Sequence, residues 1–272
     1  MPALAPDAGP LAATGASMHD PVMSSRADSS TPSIRIGTSG YNYPEWKGSF
    51  YPEKLPARKM LPYYAERLET VEINYTFYRL PTERLLAGWS EVTPPGFAFT
   101  LKAPRRITHE ARLRRCEELT GAFTEAAASL GTKLGALLFQ LPPNFRKDLP
   151  VLDAFLGTLP PGTRAAFEFR HASWHDDAVF ERLAAAGQAL CIADSERLST
   201  PVRITAGHAY FRLRDEGYTE ADIARWAETI ARESAACSEV FVYFKHEDSG
   251  KGPAFAKQLV DALALGAGPA PQ

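Results

Sequence analysis

Three cysteines in 272 residues, Cys116, Cys191 and Cys237, are odd in number and too widely spaced for a disulfide framework, and no Cys-x-x-Cys or Cys/His spacing marks a zinc site. They are expected to be reduced and mostly buried. No run of about 18 apolar residues could span a bilayer, and the first twenty residues have no basic segment ahead of an apolar one, so neither a membrane span nor a signal peptide is expected. An excess of one charge is missing too. Thirty basic against 32 acidic side chains leave a formal net charge of -2, which argues against coating nucleic acid or an anionic membrane through bulk charge. Absent likewise are a P-loop, a dinucleotide fingerprint and a serine nucleophile elbow. What remains, 45% hydrophobic and 23% charged, is the composition of a globular cytoplasmic protein with a sizeable core.

Residues 1 to about 32 are rich in Ala, Pro, Ser, Asp and Gly without periodicity, too poor in apolar surface to offset ordering entropy, and are expected to be disordered. The tail 266–272 reads the same way, leaving residues 33–265 as one domain. Within it, strand-like runs alternate with helical ones. Strands are expected at 34–38, 70–74, 97–102, 134–140, 165–170, 190–194, 208–214 and 239–246, and helices near 59–68, 82–91, 111–130, 151–156, 176–186, 220–235 and 253–265. Eight strand-helix alternations over about 230 residues are what a TIM-type (β/α)8 barrel requires. The rival, a doubly wound open sheet, would want a Gly-rich loop after its first strand. Between Asp194 and His208 no helical pattern is visible, so the sixth strand's helix is expected to be replaced by a loop.

Parity then assigns direction, because alternate residues of a barrel strand face the helices and the interior. With Val71, Ile73, Phe99 and Leu101 outward, Glu72, Asn74, Thr100 and Lys102 turn in. The same count sends inward Gln140, Glu168, Arg170, Asp194, Arg212, Arg214, Tyr243 and Lys245. Most lie late in their strands, at the C-terminal mouth where barrel enzymes place their chemistry. Two readings stand: a functional pocket, favoured by that location, or an ionic plug in which the charges satisfy one another.

Six segments carry a family resemblance: Gly37-Thr38-Ser39-Gly40; Trp46 with Phe50-Tyr51-Pro52; Val71-Glu72-Ile73-Asn74 with Phe77-Tyr78; Thr108-His109; Gln140-Leu141-Pro142-Pro143; and Glu168-Phe169-Arg170-His171 with Trp174. In this order the chain resembles the YecE-like family, domain of unknown function 72, from about residue 34 to 264. The resemblance implies a TIM-barrel fold and no established reaction. Arg212-Leu213-Arg214-Asp215 and Phe244-Lys245-His246-Glu247-Asp248 depart from the commoner Arg-Leu-His-Gly and Phe-Asn-Asn endings, and place the chain with a Lys-His-Glu-Asp subgroup.

From the residues themselves, Glu168 is the first candidate general acid or base, with Glu72 as second carboxylate and Lys102 beside it on the next strand. Arg170, Arg212 and Lys245 are expected to bind charge on a small anionic ligand containing phosphate or sugar. Asn74, Gln140, Asp194 and His109 are placed among the ligand contacts, and Tyr41, Tyr43, Trp46, Tyr75 and Tyr78 could stack on a ring. Backbone amides around Ser39 could hold an anion. Glu72, Glu168, Asp194, His171 and His246 would be acceptable metal ligands, but parity aims both histidines outward, so no metal and no cofactor is expected. Lys102, Arg105, Arg106, Arg112, Arg114 and Arg115 make six cations in fourteen residues, read first as a solvated helix start. The leading expectation is an acid-base enzyme, a hydrolase, lyase or isomerase. The alternatives are a nucleic-acid binding or repair-related protein using the basic run, and a non-catalytic barrel that binds a metabolite or partner.

Overall fold

Alternate residues of each strand face opposite sides of the sheet, and the eight strands close into a barrel. The computed structural model describes residues 31–195, 198–247 and 250–266; the disorder expected for the N-terminal segment and the tail falls outside these residues. In chain order the elements are β1 (Ser33–Ser39), α1 (Met60–Ala65), β2 (Thr70–Ile73), α2 (Tyr75–Tyr78), α3 (Glu83–Glu91), β3 (Ala98–Lys102), α4 (Glu117–Ala128), β4 (Leu134–Gln140) and α5 (Leu149–Leu156). They continue as β5 (Ala165–Glu168), α6 (Asp177–Ala185), β6 (Ala189–Asp194), β7 (His208–Leu213), α7 (Glu220–Glu233), β8 (Glu239–Phe244) and α8 (Lys251–Gly266). All eight strands pair in parallel and in sequence order, with β8 back on β1, in the closed barrel expected from the alternation. Among the described residues between β6 and β7 there is no helix.

Two apolar layers follow from the pleat. Val71, Phe99, Leu101, Phe139, Phe167, Ile192, Phe211 and Val242 pack outward against the helices, whereas Ala98, Ala136, Leu138, Ala166, Ala189, Cys191, Ala193, Tyr210, Phe241 and Tyr243 fill the inside. Midway up, the Tyr243 hydroxyl shares hydrogen bonds with the Thr70 and Thr100 hydroxyls, both at 2.7 Å, which satisfies buried polar groups and floors the barrel. Local signals start several helices. Thr82, Asp148 and Asp176 accept from backbone N–H groups at the starts of α3, α5 and α6, and Thr219 with Asp222 forms a reciprocal capping box on α7.

The basic run differs from expectation. Instead of opening a helix at 111, the chain makes a wide turn over Arg106–Glu110 and then carries Arg112, Leu113 and Arg115 at positive φ before α4 begins at Glu117. Ile107, Leu113 and Cys116 are buried along this detour. Arg114 is tied to Asp148 at 2.6 Å and Arg105 to Glu110 at 3.2 Å, so two of the six cations are already paired.

Candidate active site at the barrel mouth

One arginine organises the top layer of the interior. Arg212, wholly buried on β7, faces the Glu72 carboxylate with Nε 3.0 Å from Oε2 and Nη2 2.9 Å from Oε1. Its other arm, Nη1, donates to Glu168 Oε2 at 3.0 Å. The guanidinium thus joins β2, β5 and β7 through the barrel centre, and its planar fork suits it to two carboxylates at once. Around it, Tyr210 donates to Glu72 Oε2 at 2.6 Å, Ser39 donates to Glu72 Oε1, Asn74 Nδ2 donates to Ser39 Oγ at 2.9 Å, and Gln140 Nε2 donates to Glu168 Oε2 at 2.7 Å.

These partners decide the protonation states. Burial alone would raise the Glu72 carboxyl, but Arg212, with help from the Ser39 and Tyr210 hydroxyls, holds it down to about 2. Glu168 feels the same opposition: burial pushes it up, and Arg212, Arg214, Gln140 and Lys102 together bring it below the ordinary carboxylate value. Both are therefore ionised at neutral pH. Lys102 is shifted toward its neutral form. Burial first, then repulsion by Arg212, lowers its ammonium to about 8 against the opposing pull of Glu72 and Glu168.

The two carboxylates end in different positions. Glu72 has both oxygens filled by Arg212, Ser39 and Tyr210 and is fully buried, so its expected role as a second acid-base group is corrected: it sets Arg212 in place. Glu168 spends only Oε2. Its Oε1 is 3.9 Å from both Arg170 Nε and Arg214 Nη1, beyond hydrogen-bond reach, and faces the solvent side of the layer.

Above this layer are two adjoining clefts. One, of about 380 Å³, is lined by Tyr43, Asn74, Phe77, Tyr78, Lys102, Gln140, Arg170, Arg212, Arg214, Lys245 and Glu247. The other, of about 270 Å³, is bounded by Glu168, Phe169, Ser195, Leu198 and Thr200 and shares Arg170 and Arg214 with the first. Five cations thus border the larger cleft, against one lining acid, Glu247, which already pairs with Lys245 at 2.8 Å. Two buried polar atoms at its edge, Asn74 Oδ1 and Arg214 Nε, have no partner in the protein. A larger apolar groove of about 700 Å³ lies elsewhere, between α8 and the loop after β1, and presents no such convergence.

Glu168, Lys102, Arg170, Asn74, Gln140, Arg212, Lys245 and Tyr78 therefore meet at one mouth. Several expected contacts are placed otherwise. Asp194 has the parity of Leu190 and Ile192, so it points to the helices, where Oδ2 accepts from Tyr218 at 2.8 Å and Trp226 Nε1 at 3.3 Å; Ala193 takes the inner position. Trp46 is fully buried among Tyr43, Phe50 and Tyr51, unable to stack on a ligand, and its Nε1 donates to the Glu247 carbonyl at 2.9 Å. Tyr41 packs on the core beside Tyr64, outside the cleft lining, with its carbonyl accepting from Tyr51. His109 stands behind the Phe77 ring at 5.0 Å, its imidazole lowered to about 4 by burial and by Lys102 and Arg105.

Tyr43, one of the loop aromatics named as able to stack on a ring, does line the cleft; Glu247 is a lining residue that sequence reasoning passed over. Tyr43 donates to the Ser39 carbonyl at 2.8 Å and lies across Gly40, whose φ of 95° and lack of a β-carbon leave room for the ring. That Gly40 closes a Thr-Ser-Gly turn was the available signal. His171 and His246 have other partners, Ser173 at 2.9 Å and the Asp215 carbonyl at 2.6 Å, and no group of three or more His, Cys, Asp or Glu side chains suited to a metal occurs among the described residues.

The sequence profile of the family described as "Protein of unknown function DUF72" matches residues 35–272, nearly the whole chain. The chain belongs to the DUF72 family. Relatives of this DUF72 protein include the UPF0759 protein YecE of Escherichia coli K12, 34% identical over a stretch that covers 51% of this chain and about half, 48%, of that relative. The UPF0759 protein YunF of Bacillus subtilis is 24% identical with 85% of this chain and 95% of its own length covered. A solved DUF72 protein from Thermotoga maritima superimposes with a TM-score of 0.76 at 28% identity, covering 85% of this chain and 99% of that one. Another from Enterococcus faecalis, at 22% identity and a TM-score of 0.71, shares the barrel. Among the described residues of this DUF72 chain, no helix is long and apolar enough to cross a membrane.

Proposed function

We propose that this DUF72 protein is an acid-base enzyme that takes a small anionic, phosphate- or sugar-containing substrate into the mouth of its barrel. The observation that carries this reading is the surplus of cations over the buried layer: Glu72 and Glu168 neutralise Arg212 from below, while Lys102, Arg170 and Arg214 face the cleft with one distant carboxylate oxygen among them. A cleft of about 380 Å³ suits a small metabolite. Arginines at its edge suit the oxygens of a phosphate or carboxylate, and the unpartnered Asn74 Oδ1 and Arg214 Nε supply one acceptor and one donor for orientation. Within that arrangement Glu168 Oε1 is the proton acceptor, because the group is ionised and this oxygen has no hydrogen bond in the layer, and Lys102 is the group of the cleft that changes charge closest to neutral pH.

Thermal shift against a panel of inorganic phosphate, sugar phosphates and small dicarboxylates tests the binding half. A ligand that prefers the folded state raises Tm as its concentration passes Kd. The rise is expected for wild type and is expected to vanish in Arg170→Ala/Arg214→Ala. No shift with any anion in the panel would overturn the reading. For the catalytic half, Glu168→Gln is expected to keep the shift and lose turnover of whichever anion binds; unchanged turnover would remove Glu168 from the chemistry.

A further inference from the structure

We propose that Lys102 is a nucleophilic amine that condenses with the carbonyl of an anionic oxo compound, forming an imine at the floor of the cleft. The inference rests on the anion-binding reading of the mouth and deepens it by naming the electrophile. Three geometric observations carry it. Lys102 closes β3 at the C-terminal end, and its residue is 92% buried, yet its side chain is one of those that line the cleft. Among the described residues its ammonium has no hydrogen bond and no ion pair, although Glu72 and Glu168 lie in the same layer; Glu72 is committed to Arg212 through both oxygens and Glu168 through Oε2. What it does have is the Phe77 ring, 4.3 Å from Nζ, a contact that takes up none of the hydrogen-bonding positions of the nitrogen.

A lysine kept only for charge would sit against a carboxylate or at the rim. This one is desolvated and left single, the environment that turns an ammonium into an available amine. Burial and the Arg212 charge lower it to about 8, so the neutral form is reached far below the pH an exposed lysine needs. Arg170 and Arg214 on the opposite side of the cleft would hold the carboxylate or phosphate of the oxo compound and turn its carbonyl toward Nζ.

The step balances without any further reagent. Lys102 loses a proton to water, its nitrogen lone pair bonds to the carbonyl carbon, and the carbon-oxygen π pair moves to oxygen, which is protonated. The carbinolamine then expels that oxygen as water while nitrogen gives up its remaining proton or retains it as an iminium. One amine and one carbonyl become one imine and one water, with no change in oxidation state.

The test is reductive trapping on the full chain. Glyoxylate, an anionic aldehyde, is added with sodium cyanoborohydride, and carboxymethylated lysines are mapped by peptide mass spectrometry. Modification of Lys102 is expected to exceed that of each exposed lysine at least tenfold at neutral pH, to saturate with glyoxylate, and to rise with pH about a midpoint near 8. Lys102→Arg is expected to lose this label while still unfolding in a single cooperative thermal transition. Labelling no faster than at Lys257, an exposed lysine on α8, overturns the proposal even if phosphate binds. A neutral aldehyde separates the two readings: preferred labelling of Lys102 that is equal for glyoxylate and glycolaldehyde, and is not slowed by phosphate, leaves the reactive amine standing and removes the anion site.

Discussion

Replacing Arg212 with Met strips the guanidinium from two buried carboxylates while keeping most of the side-chain volume. The cost can be worked from the charge network. Arg212 is the main influence that brings Glu72 from an ordinary value of 4.5 to about 2, a difference worth roughly 3 kcal/mol at neutral pH. Glu168 loses its 3.0 Å partner as well. Breaking a buried ion pair from one side typically costs about 3–5 kcal/mol, so the two routes agree. The sign with pH is also fixed. In wild type the folded Glu72 is the stronger acid, so its contribution is full above about 4.5 and drains away as pH falls toward about 2. In the variant, burial without Arg212 makes Glu72 the weaker acid in the folded state, which stabilises below the unfolded value and is lost as pH rises. The deficit of Arg212→Met, measured by urea unfolding followed by circular dichroism, should therefore be largest near pH 7 and narrow toward pH 4. A deficit below about 1 kcal/mol at pH 7, or one that stays level across that range, would refute the reasoning.

The remaining predictions test neighbouring parts of the same argument. Asp194→Ala should cost about 1–3 kcal/mol by orphaning the Tyr218 hydroxyl and Trp226 indole, and should leave phosphate binding unchanged, as read by urea unfolding and calorimetric titration. Trp46→Ala should destabilise by about 3–5 kcal/mol through the cavity it leaves, a loss visible in the same unfolding assay. Tyr78→Ala, at a residue 72% exposed on the cleft edge, should leave unfolding free energy within about 0.5 kcal/mol of wild type, so that any change in anion binding reports on the cleft alone.

Most of the fold was legible because a barrel repeats one simple rule. The eight strands differ from the sequence reading mainly at their ends, and the helix-free stretch after β6 was visible as missing periodicity. Placement of Lys102, Gln140, Glu168 and Arg212 followed from the same period of two. Asp194 shows how the rule fails when it is followed by charge in place of pattern: Leu190 and Ile192 share its parity and had to face the helices. Other features were out of reach for physical reasons. The Glu72–Arg212 pair joins residues 140 apart in sequence across the barrel, and no local signal says which of several cations will take which carboxylate. Loop side chains such as Trp46 and Tyr43 follow no period at all, so an aromatic meant for the core reads like one meant for a ligand. The start of α4 was misplaced because Arg112, Leu113 and Arg115 adopt left-handed backbone in a stretch whose composition favours a helix.

The two sides of the mouth differ in how freely they can change over generations. Asn74, Lys102 and Gln140 stand at or just beyond the ends of paired barrel strands, whose register with their neighbours fixes where each side chain emerges. Ser195, Leu198 and Thr200 come from the connection after β6, whose described residues form no helix and lie outside the strand pairing. Descendants of a common ancestor could lengthen, shorten or rewrite that wall while leaving Lys102 and the Arg212 network untouched. Divergence in what these barrels accept is therefore expected to be written between Asp194 and His208, with the opposite wall as the inherited part.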